Sequence, residues 1–427
     1  MAQTLKFGNK TWATKVGSTL AYNDENGNYK PLPFAFTRST SATRVNKQGL
    51  IQVVTNDRPR IDYTDTSDGV LLLEKAATNL ITYSEDFSNA YWTKTNASVV
   101  AGFSAPDGSL NAYKLVEGTS NSIHFINRVL TVENAKEYTE SIFVKSAERT
   151  KFGIRDGFSN KWITINLSNG SVIDSNGLIM SKITKLANDW YRISYTFLTL
   201  ATSVTLKAYP LSDSYTGGSP ETYTYQGDGT SGVYIYGAQL ELGNVSSYIP
   251  TQGSVSTRVA ETASGSGNSE VFNDSEGVLM LQTNPSENGY ISLTDGSSNN
   301  RIFLGFDNLS AYTQIRVGGA VKADMITTAY LKNTTFKILV KYKTNDFALW
   351  VNGFEIKSDN NGSTFPSGVL NNLSFNVGAG SEPFYGKTKE LGYYDTILTD
   401  LELETLTSYN SWTSMVNELN LNIIYNG

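Results

Sequence analysis

Histidine and cysteine are all but missing from this 427-residue chain, and the spacing of its acids argues against catalysis. There is one histidine, His124, and no cysteine. That excludes cysteine nucleophiles, thiolate metal sites, iron–sulfur clusters and disulfide scaffolds. A Ser–His–Asp triad would have to use His124. This residue stands in the apolar run Ile123–His124–Phe125–Ile126, whose alternation reads as strand, so a structural, half-buried histidine is expected. Retaining glycoside hydrolysis needs two carboxylates about 5 Å apart, which a strand supplies by placing alternate acids on one face. Glu270, Asp274 and Glu276 have the wrong spacing, and Asp400, Glu402 and Glu404 fall on a predicted helix. The alternative reading is a polysaccharide hydrolase assembled from acids distant in sequence.

Binding is the better use of the unusual residues. Calcium would find oxygen ligands in Asp295–Gly296–Ser297–Ser298–Asn299–Asn300 and in Asp359–Asn360–Asn361–Gly362. Neither matches an EF-hand loop, and both are expected to be plain turns, so no cofactor is assigned. The segment from Tyr209 to Gly232 is long for a strand connection and carries Tyr215, Tyr223 and Tyr225 among Gly and Ser. Tyr with Gly and Ser makes adaptable recognition surface, and an aromatic ring packs well against the C–H face of a sugar. Trp162 joins them, because Ile163, Ile165 and Leu167 face the core and alternation turns Trp162 outward. Trp162, Tyr215, Tyr223 and Tyr225 are therefore the candidate glycan contacts. The leading expectation for the loop itself is a packed cover over the sandwich, with Gly227–Asp228–Gly229 turning the chain.

These residues must be positioned by strands. Charged residues are only 17 % and aromatics 12 %, with Gly, Ser, Thr and Asn abundant, a mixture that favours short strands and many turns over helices. Alternation is plain in Tyr191, Ile193, Tyr195 and Phe197, in Tyr234, Tyr236, Ala238, Leu240 and Leu242, and in Phe336, Ile338, Val340 and Tyr342. Asn352–Gly353 between Phe347–Val351 and Phe354–Lys357 predicts a type I′ hairpin. The chain is therefore all-β: two tandem β-sandwiches after a small N-terminal segment, with short helices at the C-terminus. The spans read as 1–80 for attachment or docking, 81–262 for the first sandwich, 263–269 for a Gly–Ser linker, 270–400 for the second sandwich and 401–427 for a helical tail. Thr399–Asp400–Leu401–Glu402 fits a capping box, and a second helix from about Ser411 would put Trp412, Met415, Val416 and Leu419 on one face. The formal charge of −6 and the lack of a basic stripe exclude a nucleic-acid partner. No apolar run is long enough for membrane insertion, and the first residues lack the apolar stretch of an export signal.

Several stretches resemble tailed-bacteriophage tail-fibre and head-fibre structural proteins. They are Thr37–Arg38…Ala42–Thr43–Arg44–Val45, Pro59–Arg60–Ile61–Asp62–Tyr63, Leu71–Leu72–Leu73–Glu74, Thr78–Asn79–Leu80 and Tyr83–Ser84–Glu85–Asp86–Phe87–Ser88–Asn89–Ala90–Tyr91–Trp92. The order continues with Gly227–Asp228–Gly229–Thr230–Ser231–Gly232, Gly237–Ala238–Gln239–Leu240–Glu241 and Tyr248–Ile249–Pro250–Thr251. The resemblance implies that the first sandwich is a carbohydrate-binding-like jelly roll. The second, with its Leu349–Trp350–Val351–Asn352–Gly353 hairpin and Phe384–Leu391 run, resembles the laminin-G/concanavalin-like sandwiches. It implies a non-enzymatic virion protein, assembled in the host cytoplasm and then part of the virion. Its implied partners are further copies of itself as a dimer or trimer, other virion proteins through residues 1–80, and host surface glycans held by weak multivalent contacts.

Overall fold

The computed structural model describes residues 4–9, 12–20, 22–25, 28–308, 310–327 and 334–419. Every named strand pair among them is antiparallel, and the two α-helices, Asp400–Thr407 and Trp412–Glu418, come last. Neither is long and apolar enough to cross a membrane. The part of the helical tail beyond residue 419 lies outside the described residues. The chain forms two compact units, one of residues 40–54 and 76–259, the other of residues 1–39, 55–75 and 260–427.

In the first unit two six-stranded sheets face each other. One runs Thr93–Thr95, Phe125–Thr131, Ser203–Leu211, Lys151–Asp156, Lys161–Asn166, Ser171–Asn176; the other runs Ala97–Phe103, Ala112–Glu117, Gly232–Leu242, Glu137–Ser146, Tyr191–Leu198, Met180–Lys185. Ile163, Ile165, Ile193, Tyr195 and Phe197 fill the space between them, as their alternation requires. The expected phase fails on Gly232–Leu242. Val233 and Ile235 face this core, while Tyr236 packs on the opposite face of the sheet. The cause is a bulge: Gly237 takes φ +59°, and the register with Glu137–Ser146 shifts between Ser141 and Phe143. A side chain there would meet the Phe143 ring at 2.9 Å, so the inserted residue must be glycine.

The second unit has a large sheet with central strands Phe347–Val351, Phe336–Lys343, Glu276–Pro285, Gly386–Tyr394 and Leu5–Gly8. A five-stranded sheet, Ala320–Ile326, Ser310–Val317, Arg301–Asp307, Gly289–Thr294, Asn372–Ser374, shares its core. Residues 1–80 do not stand apart as a docking segment. Leu5, Phe7, Phe34, Phe36, Leu71 and Leu73 are at most 2 % exposed, in one core with Leu281, Ile338 and Leu391. Short apolar runs such as Val70–Leu73 do need a surface to bury against, and that surface is the Gly386–Tyr394 strand of their own chain. Residues 40–54 and 76–80 belong to the other unit.

The Gly–Ser stretch 263–269 is not a linker either. Thr262–Ser264 pairs with Phe34–Thr37, Ser266 is fully buried, and Ser266 and Leu373 exchange backbone hydrogen bonds at 3.1 and 2.7 Å. Its glycines serve turning: Gly265 and Gly267 take φ near +80°, and the missing Cβ of Gly267 admits the Phe272 ring. The Asn352–Gly353 turn has positive φ at both residues, as a type I′ hairpin requires. The capping box at Thr399 and Glu402 is present, and Leu403 of that helix packs with Met280, Leu339 and Trp350 on the outer face of the large sheet. On the second helix Val416 is buried, but Trp412 is 68 % exposed rather than packed beside it.

The motif residues meet in the interior. Arg38, Arg60 and Glu261 are each at most 1 % exposed, with Arg38 Nη1 2.6 Å and Arg60 Nη2 2.5 Å from the Glu261 carboxylate. Arg60 also reaches Glu74 at 2.8 Å, and the backbone N–H of Glu74 donates to Glu261 at 2.8 Å. Arg38 further donates to the carbonyls of Thr55 and Arg58. Burial works against the charge of Arg60, but Glu261 and Glu74 outweigh it and hold its guanidinium more firmly protonated than usual.

A second buried acid lies inside the other sandwich. Tyr138, Ile142 and Val144 face its core, so alternation turns Glu140 inward, where the Tyr195 hydroxyl donates to it at 2.6 Å. Burial pushes the Glu140 carboxyl well above the ordinary value of 4.5; the Tyr195 hydrogen bond opposes this rise and Asp156 adds to it.

Two outcomes follow from these buried acids. Glu261→Gln should lower unfolding stability by about 3–5 kcal/mol, because it leaves buried guanidinium groups without their shared carboxylate. Equilibrium urea denaturation measures this, and a change below about 1 kcal/mol would show that the cluster is dispensable. For Glu140 the folded state holds the proton more tightly than the unfolded chain, so its contribution is fully present below pH 4.5 and is lost as pH rises toward the folded value. Glu140→Gln should therefore gain in melting temperature relative to wild type as pH rises above 4.5. Parallel pH curves for the two proteins would contradict the assignment.

Candidate functional site

The strand Lys161–Asn166 turns Ile163 and Ile165 into the core, so Trp162 and Thr164 face outward. The long connection after Leu211 then folds back over this outer face. Lys151 Nζ holds the carbonyls of Asp213 and Tyr215, Gly218 N donates to Asp174 at 2.8 Å, and the Tyr215 hydroxyl reaches Thr164 Oγ1 at 3.3 Å. Tyr215, Tyr223 and Tyr225 form a ring ladder with centroids 4.9 and 5.6 Å apart. Tyr215 is fully buried and Tyr225 is 9 % exposed, with its hydroxyl on Glu117 and the Pro210 carbonyl. Tyr223 is half-buried, its hydroxyl shared with Ser212 and Ser214, and Trp162 is 6 % exposed. The four candidate aromatics therefore present packing and no open sugar platform. The backbone of such a loop runs over the surface, but its rings carry the most apolar area and turn under it.

Around this face lies a polar cluster whose Arg155 is buried and whose Lys207 and Glu221 are half-buried. Glu221, carried by the same loop, accepts from Lys207 Nζ at 2.6 and 2.8 Å, from Arg155 Nη1 at 3.2 Å and from the Tyr209 hydroxyl. Burial raises the Glu221 carboxyl, but Lys207, Tyr209 and Arg155 outweigh it and hold it below the ordinary glutamate value. Arg155 Nη2 donates to Asn160 Oδ1 at 3.1 Å, and Lys207 lies 4.5 Å from the Phe125 ring centroid. Asp156 fixes the neighbouring turn by accepting from the N–H groups of Phe158, Ser159 and Thr205. Gly157 lies against Thr205 and Lys207, where a Cβ would come within 3.1 and 3.5 Å, and Phe158, the next residue of the turn, is 61 % exposed. Asn160, Arg155, Lys207 and Glu221 are thus joined by hydrogen bonds, with Arg155 buried beneath the others, and the exposed Phe158 stands in the same turn as Asn160. That set suits hydrogen-bonded recognition of a hydroxyl-rich ligand. Phe158 escaped the sequence reading; the available signal was a bulky aromatic in the Asp156–Gly157–Phe158–Ser159–Asn160 turn.

Polar side chains elsewhere in the two units are engaged in structure. Glu117 takes Arg149 at 2.5 and 2.8 Å, and Glu241 takes Ser246 and Gln239. Asp228 accepts from Thr230 and Ser231, which hold its carboxyl below the ordinary value. Asn79 bonds through both side-chain atoms to Ala238, Ile249, Ile81 and Leu240. Asp274 accepts from Gly368 and Leu370, and Asp295 from Ser297 and Asn300, so the latter run closes as a turn. Among the described residues no group of three or more His, Cys, Asp or Glu side chains converges to hold a metal. His124 is buried rather than half-buried and sits between two strands, with Nδ1 2.6 Å from the Asn96 carbonyl and Nε2 3.3 Å from that of Tyr225.

No protein-family model and no curated protein sequence matches the chain. Solved structures share its sandwich architecture at low identity. The CBM40 module of the Ruminococcus gnavus IT-sialidase, bound to alpha2,3 sialyllactose, is 18 % identical over 34 % of this chain and 94 % of its own, at a TM-score of 0.30. Domain 4 of a GH43 extracellular arabinanase from Geobacillus stearothermophilus, in complex with arabinotriose, is 15 % identical over 39 % and 82 %, also at 0.30. Domains LG4-5 of the mouse laminin alpha1 chain are 13 % identical over 73 % and 95 %, at 0.23. At these TM-scores none of them decides a ligand.

Proposed function

We propose that this chain is a non-catalytic adhesive component of a tailed-phage particle. It is assembled in the host cytoplasm and presents weak glycan-binding surfaces in several copies. The observation that carries the reading is the fate of the motif residues that resemble phage fibre proteins. Arg38, Arg60, Glu74, Asn79, Asp228, Gln239 and Glu241 are held in internal hydrogen bonds and ion pairs, which fits motifs kept for architecture. The ligand contacts then belong to the outer patch around Phe158, Asn160, Arg155, Lys207 and Glu221. The carbohydrate ligands named for the sialidase module and the arabinanase domain accord with a glycan as the ligand class.

A single patch of this kind binds in the roughly millimolar range, about −4 kcal/mol. A dimer or trimer converts that into useful adhesion through effective concentration. Other virion proteins are the remaining partners.

The test is a host-polysaccharide array probed with the assembled protein, followed by the same array with Phe158→Ala combined with Lys207→Ala. The account expects binding to at least one surface polysaccharide, a loss of about tenfold or more in the double variant, and no release of reducing sugar on long incubation. Polymer cleavage in proportion to protein, or binding unchanged in the double variant, would overturn it.

A further inference from the structure

On the five-stranded sheet of the other unit, Ile291, Leu293, Ile302, Leu304 and Ile315 face the core. Alternation therefore turns Arg301, Phe303, Tyr290, Tyr312, Gln314 and Arg316 to the outer face. Arg301 and Arg316 stand directly opposite each other in the register of their two strands. Like charges in opposed positions destabilise a sheet; among the described residues no carboxylate stands within ion-pair distance of either, Glu382 offsets the charge of Arg301 only from farther away, and Asp324 is engaged by the Tyr312 hydroxyl. Among the described residues neither has a salt bridge, and the Nε of each is buried without a hydrogen-bond partner. Arg301 has one protein acceptor, the Val377 carbonyl at 2.9 Å. Burial, and then the facing Arg316, lower its affinity for its proton. Beside the pair, Tyr290, Phe303 and Tyr312 form a mutually packed trio with centroids 4.6, 5.0 and 6.0 Å apart. Gly305 makes the trio possible, since a Cβ there would meet the Tyr290 ring at 2.9 Å. Taken as whole residues, Tyr312, Arg301 and Arg316 are each half-exposed, with only the Nε atoms of the two arginines buried.

We infer that this face is a second glycan site, which takes a carboxylate-bearing sugar unit with the carboxylate between Arg301 and Arg316 and the ring against Tyr312. Two planar forks match the two oxygens of a carboxylate, and the ligand charge relieves the repulsion that the empty pair carries. The opposed pair offers two cations on a chain of formal charge −6, which suits isolated carboxylates along a polysaccharide and not the dense phosphates of a nucleic acid. The site lies in the other unit from the Phe158 patch and stands whether or not that patch binds neutral sugars.

Affinity electrophoresis of the full chain in gels containing polygalacturonate, neutral dextran or a single-stranded oligonucleotide tests it. The wild type should be retarded by polygalacturonate alone, less so as salt rises. Arg301→Gln and Arg316→Gln should each weaken retardation by about tenfold and together abolish it. Arg316→Lys, which keeps the charge without the fork, should fall between, and Lys343→Gln on the other sheet should change nothing. Melting temperatures of the single glutamine variants should equal or exceed that of wild type, because a like-charge pair is removed. Retardation unchanged in the double variant, equal loss with Lys343→Gln, retardation by the oligonucleotide in place of polygalacturonate, or a lowered melting temperature would each overturn the assignment.

Discussion

The shared carboxylate of Glu261 is the constraint on which one of the two units depends. Arg38, Arg60 and Glu74 arrive from sequence positions about two hundred residues away, and each is fixed by the same pair of oxygens. A buried ion cluster adds little net stability compared with well-packed apolar residues of the same volume. What it gives is discrimination, because any other placement of these strands strands a charge in the core. That explains why an N-terminal stretch with short apolar runs is part of the C-terminal sandwich rather than a module of its own. The same logic runs through Asn79 and Gln239 in the other unit, whose side-chain amides are bonded on both atoms.

With the interior assigned to architecture, function is left to the outer faces. Both candidate patches are built alike: a strand face puts polar side chains outward, and a loop or an opposed strand supplies the groups that aim them. The Phe158 patch mixes charges of both signs, with Glu221 neutralising part of Lys207 and Arg155. The Arg301–Arg316 pair has no carboxylate at ion-pair distance among the described residues, Glu382 acting on Arg301 only from farther away, which is why the two patches are assigned different ligands.

Alternation made the sandwiches legible in the sequence, since Ile163, Ile165, Ile193, Phe197, Ile338 and Val340 all face the cores they were expected to face. Local turn chemistry was equally legible at Asn352–Gly353 and Thr399–Glu402, because those signals depend only on near neighbours. Tertiary effects were not. The bulge at Gly237 reverses the phase of Tyr234 and Tyr236, and a lone glycine does not announce whether it turns, bulges or bends. The stretch 263–269 has the composition of a flexible joint, yet its glycines supply left-handed backbone on either side of the buried Ser266, which pairs with Leu373. Tyr215 and Tyr225 lie in a loop, and loop position alone does not tell which way a ring turns. Glu261 went unnoticed because its partners are invisible until the fold brings them together.

The most direct test of this architecture is native-state hydrogen exchange at single backbone amides, read by fragment mass spectrometry. The N–H groups of Glu261, Ser266 and Leu373 donate to the carbonyls of Glu74, Leu373 and Ser266 within the fold. They should exchange only through global unfolding, as slowly as amides in the central Glu276–Pro285 strand. Exchange of Glu261 and Ser266 within seconds, as in an open interdomain linker, would contradict the account.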